Sequence, residues 1–177
     1  MNLFYADDTL LIVNKRINIG NKEKAIDDIS QFSFKNYRSV DIEFFNIHLK
    51  VLNKTLKKNI FDKNNLYIRS STLWELMQKE GNKGKHNFHG LTPNQIYDVL
   101  KGLLTPFCVY YSENKRIVIT TFVKNTRNEK IQLVLELHSP LENNRNANIN
   151  KIVSIYPKKN LDNKLSNLKP SEILFKA

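Results

Sequence analysis

Residues 130–138, KIQLVLELH, place Ile131, Leu133, Leu135 and Leu137 on alternate positions, with Gln132, Glu136 and His138 between them. Successive side chains of a strand point to opposite faces, so this period of two predicts a strand with an apolar inner face and a polar outer one. Three nearby segments alternate likewise or are continuously apolar: 107–111 (FCVYY), 116–123 (RIVITTFV) and 151–156 (KIVSIY). The turns SENK and NTRNEK between the first three are too short for a crossover connection. Strands joined in this way are antiparallel, and 107–156 is expected to form a four-stranded antiparallel sheet.

Ahead of it the periodicity is helical. Residues 22–33 read as a helix, and 40–60 set Ile42, Phe45, Leu49, Leu52, Leu56 and Ile60 at steps of three and four. That spacing makes an amphipathic stripe, with Lys50, Lys54, Lys57 and Lys58 on a solvated opposite face and His48 off the stripe. A short strand at 66–69 precedes a helix opened by a capping box, Thr72 with Glu75. A second box, Thr92 with Gln95 and with Pro93 at the first helical position, opens a helix over 92–102. The Asn-rich stretches 143–150 and 160–167 read as loops. The expected fold is α+β, N-terminal helices followed by a four-stranded antiparallel sheet, divided into a helical segment 1–65 and a sheet-bearing domain 66–177.

Net charge is +11 and unevenly spread: residues 1–65 hold 11 Lys and Arg against 8 Asp and Glu, and residues 66–177 hold 17 against 9. The excess therefore lies with the predicted sheet, which points to a polyanionic partner, a nucleic acid. The single cysteine, Cys108, excludes an internal disulfide and a cysteine-built zinc site, and its apolar neighbours predict burial. No run approaches the roughly 20 apolar residues that span a bilayer, and the start MNLFYADDTLLIV lacks the form of a signal peptide. The expectation is a soluble protein acting in the cytoplasm of a producer or target cell.

Two constellations suit phosphodiester chemistry. The first is Lys83-Gly84-Lys85-His86-Asn87-Phe88-His89-Gly90, two histidines and two lysines on a glycine-punctuated loop before a helix. Cleaving RNA through its own 2′-OH needs a base for that proton, an acid for the 5′-oxygen and cations for the phosphorane. Histidine titrates in the right range for both transfers, and lysine supplies charge without a metal. A polar surface loop is the competing reading, and His89 is the more structural of the two histidines, placed to hydrogen-bond around the following helix cap. The second is Ser154-Ile155-Tyr156-Pro157-Lys158-Lys159. Here Ser154 and Tyr156 share a strand face, with Val153 and Ile155 on the other, and an ordinary edge strand is the competing reading. The outer face of 116–123 and 130–138 adds Thr120, Glu136 and His138.

Taken in order, Lys85-His86, Leu91-Thr92 opening a helix, Thr105-Pro106 entering a strand, and Asn150 to Tyr156 (NKIVSIY) resemble the phage MuF C-terminal domain and its relatives. These fall in the superfamily of barnase, EndoU, tRNA-cleaving colicins and RelE (BECR). The resemblance covers roughly residues 66–160 and leaves 1–65 unexplained. It implies a metal-independent endoribonuclease with no cofactor, carried as the toxin payload of a phage or a secreted polymorphic toxin. The implied partners are RNA, tRNA among the candidates, and an immunity protein or antitoxin. By position it implies Lys85, His86, Ser154 and Tyr156 as catalytic residues. Lys158, Lys159, His89 and Thr120 are the candidate substrate contacts. Acid and base stay unassigned between them. A non-catalytic nucleic-acid-binding module and a phage assembly accessory, with 1–65 as its arm, are the competing functions.

Overall fold

A computed structural model describes residues 2–6, 9–13, 15–34, 39–79, 88–141 and 144–177, with side chains described from residue 15 onward except at 141 and 144–147. β1 (Asn2–Ala6) and β2 (Thr9–Val13) form an antiparallel hairpin. The rest is built on one mixed sheet of eight strands. In chain order they are β3 (Lys15–Asn18), β4 (Asp41–Phe45), β5 (Leu66–Arg69), β6 (Cys108–Tyr111), β7 (Ile117–Lys124), β8 (Lys130–Leu141), β9 (Asn144–Pro157) and β10 (Ile173–Lys176). Their order across the sheet is β10-β6-β7-β8-β9-β5-β4-β3.

This overturns the expected architecture of helices followed by a four-stranded antiparallel sheet. The segments read as strands, 107–111, 116–123, 130–138 and 151–156, do pair antiparallel as β6 to β9. They make up only half of a larger sheet, in which β5 joins β9 in parallel and β3 joins β4 in parallel. Parallel neighbours need a crossover, and α1 (Lys22–Ser30) supplies it between β3 and β4. Asn21 caps α1 by accepting from the Lys24 amide.

The stripe at 40–60 is not one helix. Its first part is β4, whose Ile42 and Phe44 face the core while Asp41 and Glu43 face the opposite side, also buried. Glu43 is tolerated there because Arg16 and Asn65 each donate to one of its carboxylate oxygens, at 2.7 and 2.6 Å. Asn46 and His48 then take positive φ, breaking the run before α2 (Leu52–Leu56). Helix α3 (Ser70–Met77) starts two residues ahead of the expected Thr72 box, with Arg69 at its cap. Helix α4 (Pro93–Gly102) has the predicted Thr92–Gln95 box, both hydrogen bonds formed. Of the two Asn-rich stretches read as loops, 144–150 belongs to β9 and 161–166 is helix α5 (Leu161–Ser166).

One face of the sheet carries the main core. Ile17, Ile42, Phe44, Leu66, Ile68, Ile152, Ile155, Leu133, Leu135, Ile117, Ile119 and Val109 meet the apolar sides of α1 to α4. The second face is covered only in part. Leu161 and Leu165 of α5 close over Cys108, Tyr110, Val118 and Val134. No helix among the described residues is long and apolar enough to cross a membrane.

Candidate active site

Beside α5, the second face of β6–β9 opens into a cavity of about 450 Å³. Tyr110, Val118, Val134, Val153 and Ser154 contribute from the strands, with Tyr156 beside them. Simple alternation puts Val153 opposite Ser154, but both line the cavity. The pairing explains it: Leu133 faces Ile155 and Val134 faces Ser154, yet Leu135 faces Ile152. Val153 is an extra residue, a β-bulge, and such a bulge re-aims the side chains around it. Ile152 and Ile155 thereby both reach the core, three positions apart.

His89 enters from the loop before α4. Its neighbours are anchored on both sides: the Phe88 ring meets Trp74 edge-on at 5.7 Å, and the Gly90 and Leu91 amides donate to the Gln78 and Leu76 carbonyls at 2.7 and 2.9 Å. Gly90 takes φ 62°, a left-handed conformation that a residue without Cβ adopts at no steric cost. Held so, the His89 ring lies 5.5 Å from that of Tyr156, tilted by 32°. The α4 cap itself is closed by Thr92 and Gln95.

The electrostatics favour an anion. Arg116, Lys158 and Lys164 line the cavity against one carboxylate, Glu113. Arg116 is steadied by Glu136, whose two carboxylate oxygens accept from the Arg116 guanidinium at 3.1 Å and the Ser139 hydroxyl at 3.2 Å. Glu136 thus positions a cation. Beneath the cavity the Tyr110 hydroxyl donates to the Gln132 side-chain oxygen at 3.0 Å, and Thr120 reaches the same oxygen at 3.5 Å. Burial holds the Tyr110 phenol far above the ordinary range, with Tyr156 adding to the effect, so Tyr110 is a neutral part of the floor. Burial likewise raises the Cys108 thiol.

Of the sequence candidates, His89, Ser154, Tyr156 and Lys158 come together here. Lys85 and His86 lie outside the described residues. Lys159 is exposed beyond the cavity, and Thr120, expected on the outer face as a substrate contact, is 0 % exposed beside Gln132. His138 takes φ 57° with its Nδ1 2.7 Å from the Asn148 side-chain oxygen, away from the cavity lining. Arg116, Lys164 and the turn residues Ser112–Asn114 were not anticipated. Arg116 was legible by period two, since it precedes Val118 on the same face; Lys164 depended on α5.

Against known proteins, the model of a family described as the phage MuF C-terminal domain matches residues 80–176. Neither a curated protein nor a solved structure matches the chain.

Proposed function

The chain belongs to the phage MuF C-terminal domain family, and from that premise we propose that it is an endoribonuclease of the toxin type, cutting RNA by attack of the substrate's own 2′-OH. The observation that carries this reading is the cavity, where the His89 ring lies against Tyr156 within reach of Ser154 and three cations. A volume of about 450 Å³ falls in the range of small-ligand pockets and accommodates one nucleotide. Arg116, Lys158 and Lys164 would hold the scissile phosphate and offset the charge that grows on it during attack.

In the reaction the 2′-oxygen forms a bond to phosphorus while the bond to the 5′-oxygen breaks. The 2′-OH proton passes to a base, and the leaving 5′-oxygen takes a proton from an acid. His89 performs one of these transfers. His86, three residues earlier in the chain, is the candidate for the other. Tyr156 orients His89 through ring contact, and the Ser154 hydroxyl faces the phosphate. An immunity protein, in this reading, is an acidic partner that covers the cationic cavity.

The test is incubation of the full chain with total RNA in EDTA, followed by mapping of the cut ends. The expected products end in a 2′,3′-cyclic phosphate, and a substrate with a 2′-deoxy scissile nucleotide stays intact. Cutting of an all-DNA substrate, or a strict requirement for added divalent metal, would reject the mechanism. RNA binding without any cleavage would leave a binding module in place of the enzyme.

A further inference from the structure

Phe122 is 57 % exposed on β7, an unusual position for a large aromatic ring that belongs to no core cluster of the described residues. Single exposed apolar residues are common and need no explanation. Phe122 differs because it belongs to an ordered group. Its ring meets Phe107 edge-on, with centroids 5.5 Å apart and planes at 88°. Phe107 in turn has the Lys130 ammonium 4.2 Å from its ring centroid. The Lys130 carbonyl accepts from the Lys158 amide at 2.9 Å, and the Lys158 side chain lines the cavity. A continuous path of contacts therefore runs from the cavity through Lys158, Lys130 and Phe107 to Phe122.

We propose that Phe122 is a stacking platform for a base of single-stranded RNA beyond the two nucleotides that flank the phosphate in the cavity. The inference rests on the cavity's taking an RNA phosphate and adds a second contact point on the same strand. Base–aromatic stacking tolerates any sequence, because every base has a π face, and it works best beside cations that follow the backbone. Both conditions are met. Phe107 braces Phe122 through a perpendicular ring contact that still leaves Phe122 57 % exposed, while Lys130 sits over the Phe107 ring and Lys158 lines the cavity. Two carboxylates lie close to these lysines: Glu129, next to Lys130 in the chain, is engaged by Arg127 and Asn125 at 3.1 and 2.7 Å, which offsets its charge, and Asp162 is an exposed residue of α5.

The experiment measures binding of a fluorescein-labelled 12-nucleotide single-stranded RNA to the full chain by anisotropy. His89→Ala is the background, so that cleavage does not interfere. On that background Phe122→Ala should weaken binding roughly tenfold, in line with the usual worth of one stacked base. Phe122→Trp should restore it, with its added indole fluorescence quenched by RNA, and Phe122→Leu should not. In parallel, cleavage of a dinucleotide, too short to reach the platform, should be unchanged by Phe122→Ala in the otherwise native chain. Unaltered RNA affinity in Phe122→Ala, or rescue by Leu as complete as by Trp, would overturn the proposal and leave Phe122 to a protein partner. Loss of affinity in a chain that cuts no RNA would keep the platform and reject the nuclease. Cleavage with normal affinity in Phe122→Ala would do the reverse.

Discussion

The two faces of β8 draw on neighbouring residues for opposite purposes. Ile131, Leu133 and Leu135 are fully buried against α1 to α4, in a core whose members are almost all aliphatic or aromatic. Gln132, Val134 and Glu136 look the other way, onto a smaller cluster and the open cavity. The second face also hides polar groups, Gln132 and Thr120 among them, each with a hydrogen-bonding partner. A face that gives up apolar area for satisfied polar contacts can hold charged and titratable side chains in fixed positions. The helix-covered face supplies the stability that makes this tolerable.

Paired substitutions separate the two roles most strongly. Leu133→Ala removes a wholly buried side chain and should lower stability by about 2–5 kcal/mol, read as a shift in the urea midpoint. His89→Ala should leave that midpoint in place and slow RNA cleavage by about 10²–10⁴-fold, the usual contribution of a proton-transfer group. If His89→Ala cost as much stability as Leu133→Ala, the distinction between faces would collapse, and His89 would be a packing residue.

Alkaline titration asks how well α5 seals its part of the second face. Cys108 and Tyr110 both have raised folded-state values because burial disfavours their anions. The unfolded chain therefore loses these protons first. Stability from the two groups is complete below their ordinary values, about 8.5 for a thiol and 10 for a phenol, and is lost as pH rises above them. Urea midpoints should fall from about pH 8 upward and more steeply above pH 10, with Tyr110→Phe flattening the steep part. A flat profile up to pH 11 would mean that the face is open to water.

The smallest effect belongs to Tyr156→Phe. The ring that contacts His89 stays and only a hydroxyl goes, so cleavage should drop by roughly twofold to tenfold, the worth of one hydrogen bond. A loss as deep as that of His89→Ala would make Tyr156 itself a proton-transfer group.

The residues of β6–β9 and α4 announced themselves locally. Alternation in 130–138 identified the strand, and Thr92, Pro93 and Gln95 identified the helix start, because each signal lies within a few residues of chain. The stripe at 40–60 misled for a physical reason. In β4 both faces are buried, with Glu43 ion-paired to Arg16 and hydrogen-bonded by Asn65 from outside the segment, so polar residues did not mark a solvent side. Likewise Leu161 and Leu165 form a helix face only against a sheet that nothing in 160–167 reveals.

The sequence by itself determined which segments alternate, where α4 begins, and that cationic charge gathers in the second part of the chain. It also singled out His89, Ser154, Tyr156 and Lys158, residue types suited to phosphate chemistry. Only the tertiary structure decided that these four share one cavity with Arg116 and Lys164, that Val153 bulges to join them, and that β5 lies parallel to β9. The reason is range. Periodicity and capping arise from contacts between near neighbours, whereas a bulge, a cavity and parallel pairing arise between separate elements, Val134 with Ser154 in the bulge and Leu66 with Asn150 in the parallel pair, where the choice of partner depends on the whole folded chain.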